Sequence, residues 1–318
     1  VKKIPVIVVL GLLLGGCQGA TSDAGGTPPP SAPANKGTVK LAINPWVGYE
    51  ANAAVIEHLL ETKLGYTVET KNLKEEISWQ GFETGEVDAI VENWGHDDLK
   101  KTYITEKKVA VDAGPTGNTG TIGWYVPQWM ADQYPDITDW NNLNKYADLF
   151  KTSESGGKGQ FLAGDPSFVT NDEALIANLK LNYKVVFSGS EAAIIKAAQQ
   201  ANAQKKPLLF YFYEPQWLFA KEKYARVKLP EYKAGCDADP KKVACDYPDY
   251  VLDKVVSKKF ADTGGAAYEL VKNFKWTNDD QNLVSDYITN QGLSAEKAAE
   301  KWVAEHEATW KPWIPAGS

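Results

Sequence analysis

The stretch "NPWVGYEANAAVIEHLL", Asn44 to Leu60, decides the fold. An apolar strand, Val39 to Ile43, runs into it through Trp46 and a Gly-Tyr-Glu turn. From Ala51 to Lys63 apolar residues recur at helical spacing (Ala54, Val55, Leu59), and the pattern stops near Gly65. Tyr66 to Lys71 alternates as a second strand, Ile77 to Thr84 reads as a short helix closed by Gly85, and Glu86 to Glu92 reads as a third, buried strand. Strand, helix, strand, helix, strand with short loops predicts a parallel sheet in an α/β protein. In such a sheet ligands bind in the crevice beyond the strand ends. A large Trp46 and an acidic Glu50 at that mouth are therefore candidate site residues.

Further along, Gly120 to Val126 reads as a crossing strand, and a second α/β run follows. Phe161 to Gly164 is a strand end, Asn171 to Leu181 a helix, Lys184 to Phe187 a strand, Glu191 to Gln204 a helix and Pro207 to Phe212 a strand. After a loop containing Cys236 and Cys245 the chain reads as helical: Ala261 to Asn273, Asp279 to Thr289 and Ala295 to Glu307. No internal sequence repeat is evident, but two α/β runs suggest two lobes of similar build.

The chain has 318 residues, enough for two domains. Lys2 and Lys3 precede an apolar run, Ile4 to Leu14, and Leu14-Gly15-Gly16-Cys17 follows. Residues 1–16 thus read as a signal peptide, too short to span a bilayer stably. Leu-Gly-Gly-Cys resembles the bacterial lipobox, which implies cleavage before Cys17 and lipidation of its sulfur. Two acyl chains give durable attachment. Residues 17–37, rich in Gly, Pro, Ser and Ala, read as a flexible linker. Removal of the leader leaves 32 basic against 41 acidic side chains, a net charge of −9. That acidity argues against nucleic acid and anionic lipid as partners. An exported chain keeps disulfides. Cys236 and Cys245 are expected to pair, stabilising by about 2–3 kcal/mol through loop entropy. A Cys-x8-Cys pair alone is a poor zinc site.

Aromatic residues recur just past the predicted strand ends: Trp46, Trp94, Phe168 and Tyr213, with Tyr125 at the end of the crossing strand. One such ring is more often core than site; several at equivalent positions call for a ligand. A quaternary ammonium offers no N–H donor, and its diffuse charge suits the negative faces of stacked rings at about 1–2 kcal/mol each.

Three stretches, "AINPWVGYE", "GEVDAIVENWGH" and "LLFYFYEPQW", together with the C-terminal "SAEKAAEKWVAEHEATWKPWI", resemble the glycine betaine/choline-binding proteins of ABC importers. The resemblance runs from about Thr38 to Ile314. It implies a type II, two-lobed periplasmic-binding-protein fold with two doubly wound sheets, a hinge and C-terminal helices. The expected boundaries are 38–120 plus 227–318 for lobe 1 and 121–226 for lobe 2. It also implies a small quaternary ammonium ligand clamped between the lobes, an ABC permease as partner and an outward-facing, lipid-anchored location. A monomer without cofactor or metal is expected. Trp46 and Trp94 map onto cage tryptophans; Tyr213 stands where many relatives carry Trp; Tyr125 maps near another aromatic contact, and Phe168 maps to a ligand-facing loop.

The polar anchor stays open at this level. The single arginine, Arg226, lies away from the strand ends, unlike the carboxylate clamp of ordinary amino-acid binders. A ligand carboxylate would rest on backbone N–H groups at Gly120-Thr121, or on Asn93. A hydroxyl would need Glu50 or Asp165, and Glu50 could equally be a helix N-terminal acid facing water. No nucleophile elbow or phosphate loop is present, and His58, His96 and His306 are scattered, so no catalytic residues are expected. A sugar-binding protein and a sensory lipoprotein of the same fold are the alternatives, since Trp and Tyr faces also stack on pyranose rings.

Overall fold

The computed structural model describes residues 36–318. The leader, Cys17 and nearly all of the expected linker lie outside these residues. Lys36 and Gly37, its last two, hydrogen-bond to Gly65 and Thr67.

The strands are β1 (Thr38–Ile43), β2 (Thr67–Asn72), β3 (Ala89–Asn93), β4 (Ala110–Pro127), β5 (Gly159–Ala163), β6 (Tyr183–Phe187), β7 (Phe210–Glu214), β8 (Tyr224–Val227) and β9 (Asp249–Ser257). They form one hydrogen-bonded path, β2-β1-β3-β9-β4-β7-β5-β6, with β8 on the far end of β4. β1 runs parallel to β2 and β3, and β5 runs parallel to β6 and β7. These two parallel groups are the sheets of the two lobes. The long antiparallel pair β4 and β9 joins them.

Local chemistry explains the helices. α1 (Val47–Thr62) turns an apolar face inward, with Tyr49, Val55, Ile56, Leu59 and Leu60 buried. α2 (Glu75–Thr84) ends at Gly85, whose φ of 72° is the left-handed cap that glycine adopts without strain. In the second lobe, α3 (Asp172–Asn178) follows β5, and α4 (Glu191–Gln204) is capped by the Ser190 side chain on Ala193 N–H. The C-terminal helices α5 (Gly265–Asn273), α6 (Asn278–Thr289) and α7 (Ala295–Glu305) return to the first lobe, where α1 packs on α6 and α7. Most of the tryptophans are core. Trp79, Trp124, Trp217, Trp276, Trp302 and Trp313 are nearly inaccessible.

The structure corrects the sequence reading at β9. The chain after the cysteine loop was expected to be helical, yet Asp249–Ser257 is a strand. Asp253 and Lys254 interrupt its apolar pattern. Lys254 is nonetheless buried, because its ammonium donates to the carbonyls of Lys272 and Phe274. The cysteine loop also sits elsewhere than the expected boundary at 227 implies. Asn178 of α3 donates to the carbonyls of Lys241 and Val243, and the Tyr247 hydroxyl donates to Asp172, so residues 241–247 pack on the second lobe. Cys236 and Cys245 are bonded.

β4 is irregular where it passes between lobes, with register shifts against β9 between Asp112 and Thr119. Gly117 lies in this stretch with φ of 93°, and a Cβ there would stand 2.3 Å from the Trp276 carbonyl. Gly117→Ala is therefore expected to destabilise the protein by roughly 2–4 kcal/mol, read as a lower urea midpoint. An unchanged midpoint would mean that this crossing relaxes freely.

Candidate functional site

The two lobes meet around a small cavity. Six aromatic rings line it: Trp46, Trp94, Phe168, Tyr211, Tyr213 and Tyr250. Each position follows from local structure. Trp46 lies three residues past β1 and is the N-cap of α1, with extended backbone (φ −141°, ψ 150°). Trp94 leaves β3. Tyr211 and Tyr213 are two apart on β7, so they share one face of the strand. Phe168 comes from the turn after β5, and Tyr250 from β9. The rings meet edge to face across the lobes: Trp46 with Phe168 at 5.8 Å and Trp94 with Tyr213 at 5.4 Å between centroids. Such pairs add to the stabilisation given by buried area alone.

Behind the rings stands one carboxylate. The indole N–H groups of Trp46 and Trp94 both donate to Oε1 of Glu92, at 2.7 and 2.8 Å. Its Oε2 accepts from the side-chain amides of Asn52, at 2.5 Å, and Gln281, at 2.9 Å. Gln281 reaches it because Gly48 lacks a Cβ, which would stand 2.4 Å from the Gln281 amide. Burial pushes the Glu92 carboxyl up to about 7, against the pull of its hydrogen bonds. Glu191 holds the opposite wall: it accepts from the Tyr213 hydroxyl, from Gln216 at 2.5 Å and from Val47 N–H at 2.8 Å. Burial pushes it, too, up to about 7.

The cavity has one polar end. Glu75, at the start of α2, lies 2.6 Å from Nε2 of His96, and both line the cavity. Burial alone would lower the imidazole, but the neighbouring Glu75 carboxylate outweighs it and holds His96 above its ordinary value. Ile122 and Val169 complete the lining.

Of the residues singled out from sequence, the structure brings Trp46, Trp94, Tyr213 and Phe168 together around the cavity. It places the others elsewhere. Tyr125 packs its ring on Phe219 and Phe210 within the second lobe. Asn93 lies behind the wall, its amide donating to Gly95 O and to Asp253. Glu50 borders a separate cleft with Glu191, and burial raises its carboxyl. Gly120 sits under Trp94, where a Cβ would stand 2.5 Å from the ring, and the Thr121 hydroxyl is 3.5 Å from Asp249. Asp165 caps its own turn through Ser167. Sequence reasoning missed Glu75, His96, Tyr211 and Tyr250 as lining residues, and Glu92 and Glu191 as their supports. Tyr211 was findable from its two-residue offset to Tyr213.

The family described as the substrate binding domain of ABC-type glycine betaine transport systems matches residues 37–305. The chain belongs to this family. The ABC glycine betaine family consists of transport binding proteins rather than enzymes, and such proteins act outside the cytoplasm. Among the described residues no helix is long and apolar enough to cross a membrane. The chain is 24% identical to the trimethylamine N-oxide-binding protein of Pelagibacter ubique, over 88% of its own length and 91% of that protein. Among solved structures, lactococcal glycine betaine-binding protein in its closed, liganded conformation matches with a TM-score of 0.68 at 23% identity, covering 88% of this chain and all of that one. A choline-binding protein in complex with choline matches with a TM-score of 0.70 at 18% identity, over 87% and 91% of the two chains. These likenesses establish the two-lobed binding-protein fold.

The buried carboxyls set a pH dependence. Glu92 and Glu191 titrate higher in the folded chain than in the unfolded one, and so does Asp172, which burial pushes up to about 6. The folded protein therefore takes up protons first as pH falls, and stability rises as pH drops through these values. His96, also raised, acts in the same sense; His58, which burial lowers, opposes it. The ligand-free protein should gain on the order of 2 kcal/mol between about pH 7 and pH 5.5, read from urea midpoints. A flat or falling midpoint would show these carboxyls ionised throughout.

Proposed function

We propose that the protein captures a small trimethylammonium-type compound between its lobes and delivers it to the permease of an ABC importer. The observation that carries this reading is the pair of tryptophans, Trp46 and Trp94, facing the cavity with both indole N–H groups on one buried carboxylate. The arrangement presents ring faces, rather than donors, to the ligand. Above about pH 7, where Glu92 is ionised, its negative charge behind the rings adds to their attraction for a cation. Three or four rings at about 1–2 kcal/mol each, with one polar anchor, suffice for micromolar affinity.

The anchor in this reading is the Glu75–His96 pair. The His96 imidazole, whose proton the Glu75 carboxylate favours, is the lining group that suits an anionic oxygen, such as the carboxylate of glycine betaine or the oxygen of trimethylamine N-oxide. The name of the Pelagibacter relative and the ligand of the lactococcal structure fit that class. Choline would instead place its hydroxyl on Glu75. Lipid attachment through Cys17, a flexible stand-off to about residue 37 and action as a monomer complete the proposal, with osmoprotection or nutrient uptake as its outcome.

Calorimetric titration of residues 38–318 with glycine betaine, trimethylamine N-oxide and choline tests it. Micromolar binding is expected, with the two anionic-oxygen ligands ahead of choline. His96→Ala should erase that preference. Trp94→Ala should weaken every ligand by about 1–2 kcal/mol or more while leaving the fold intact. Absence of binding by all three, or unaltered affinity in Trp94→Ala, would overturn the reading.

A further inference from the structure

Val47 opens α1, and like the first residue of any helix its N–H has no acceptor within the helix. Trp46, at the N-cap, provides no side-chain hydrogen bond. The acceptor comes from the other lobe instead: Oε2 of Glu191, 2.8 Å from Val47 N. Glu191 itself opens α4. Its carboxyl thus sits between the N-termini of two helices, one from each lobe, whose partial positive charges work against the rise that burial imposes. Its other oxygen accepts from the hydroxyl of Tyr213 and from Gln216. Tyr213 is a wall of the cavity, and Val47 follows Trp46, a wall from the opposite lobe. One side chain therefore joins the two faces of the cage.

We propose that Glu191 is a positioning residue that couples filling of the cage to closure of the lobes. The proposal rests on the reading that the lobes close over a trimethylammonium ligand. When the lobes part, the Val47 N–H and the Glu191 carboxylate separate and return to water. A ligand against Trp46 and Tyr213 fixes the same two points of the chain and so restores the bond. Another polar contact between the lobes is the ion pair of Lys221 with Asp286, whose lysine is half exposed. Pairs of that kind contribute little. The bond from Glu191 is buried, so it carries more of the closed state than the exposed ion pair does.

Val47→Pro breaks the bond, because a ring carbon takes the place of the amide hydrogen that faces Glu191, while the buried position keeps an apolar side chain. Proline is well tolerated at the first position of a helix. The extended backbone of Trp46 is the conformation a residue before proline adopts. Stopped-flow tryptophan fluorescence would give the association and dissociation rates of glycine betaine for wild type, Val47→Pro and Glu191→Ala, with melting curves to check the fold. Dissociation should accelerate by about 10- to 100-fold in Val47→Pro, with little change in association. Small-angle scattering of the liganded variant should shift toward the open form. Glu191→Ala should be at least as fast, since Tyr213 also loses its partner. A wild-type dissociation rate in Val47→Pro would overturn the coupling even if Glu191→Ala were impaired, because Glu191 would then act only within its own lobe. If Val47→Pro does not fold, amide exchange at Val47 in wild type decides: protection gained with ligand supports the coupling, and none overturns it. If wild type binds none of the trimethylammonium compounds, the ligand reading falls. Val47 exchange in ligand-free wild type against Glu191→Ala then tests the contact alone: faster exchange in the variant supports it, and equal exchange overturns it.

Discussion

A single carboxylate, Glu92, holds two indoles from two different strand ends, and the rest of the site is arranged around that constraint. A buried carboxylate without partners costs several kcal/mol. Here four donors meet it: Trp46, Trp94, Asn52 and Gln281. Each donor imposes a condition on the fold. Trp46 must leave β1 in extended conformation, and Trp94 must follow Glu92 two residues on. Asn52 must lie one turn into α1, and α6 must return from the C-terminus to bring Gln281. Gly48 and Gly120 remove the two Cβ atoms that would block Gln281 and Trp94. The two tryptophans that line the cavity are thereby fixed by hydrogen bonds at their indole edges.

The long strands β4 and β9 explain why this site lies between lobes. They carry the chain across and back, and they also furnish lining residues, Ile122 and Tyr250. Edge-to-face pairs across the gap, Trp46 with Phe168 and Trp94 with Tyr213, require the lobes to be close. The cavity is therefore a property of the closed arrangement. Its polar end, Glu75 with His96, is built wholly from the first lobe. The second lobe contributes Phe168, Tyr211 and Tyr213 as rings.

Much of this was legible in the sequence because parallel α/β structure writes itself in apolar runs separated by short turns. β1, α1, β2 and α4 fall within a few residues of their expected bounds, and Trp46, Trp94, Phe168 and Tyr213 were marked by their place after strands. What escaped has physical reasons. β9 was invisible because Asp253 and Lys254 break its pattern, and only tertiary carbonyls make a buried lysine tolerable there; Tyr250 was lost with it. His96 was set aside as one of three scattered histidines, since nothing local indicates that Glu75, 21 positions earlier, will face it. Glu92 read as the end of a buried strand, because its donors come from residues as distant as Gln281. Glu50 looked functional at the mouth of the crevice, yet α1 begins at Val47, and this start turns Glu50 away from the cavity.

The central claim is that ring faces backed by Glu92 select positive charge, not shape. The most direct measurement compares choline with its neutral isostere, in which carbon replaces the quaternary nitrogen, by titration into the wild-type protein. The two have nearly the same volume and the same hydroxyl. The account predicts that the isostere binds at least about tenfold more weakly, the loss of one or more cation–π contacts. Equal affinity for both would contradict it and make the cavity an apolar pocket that recognises size alone.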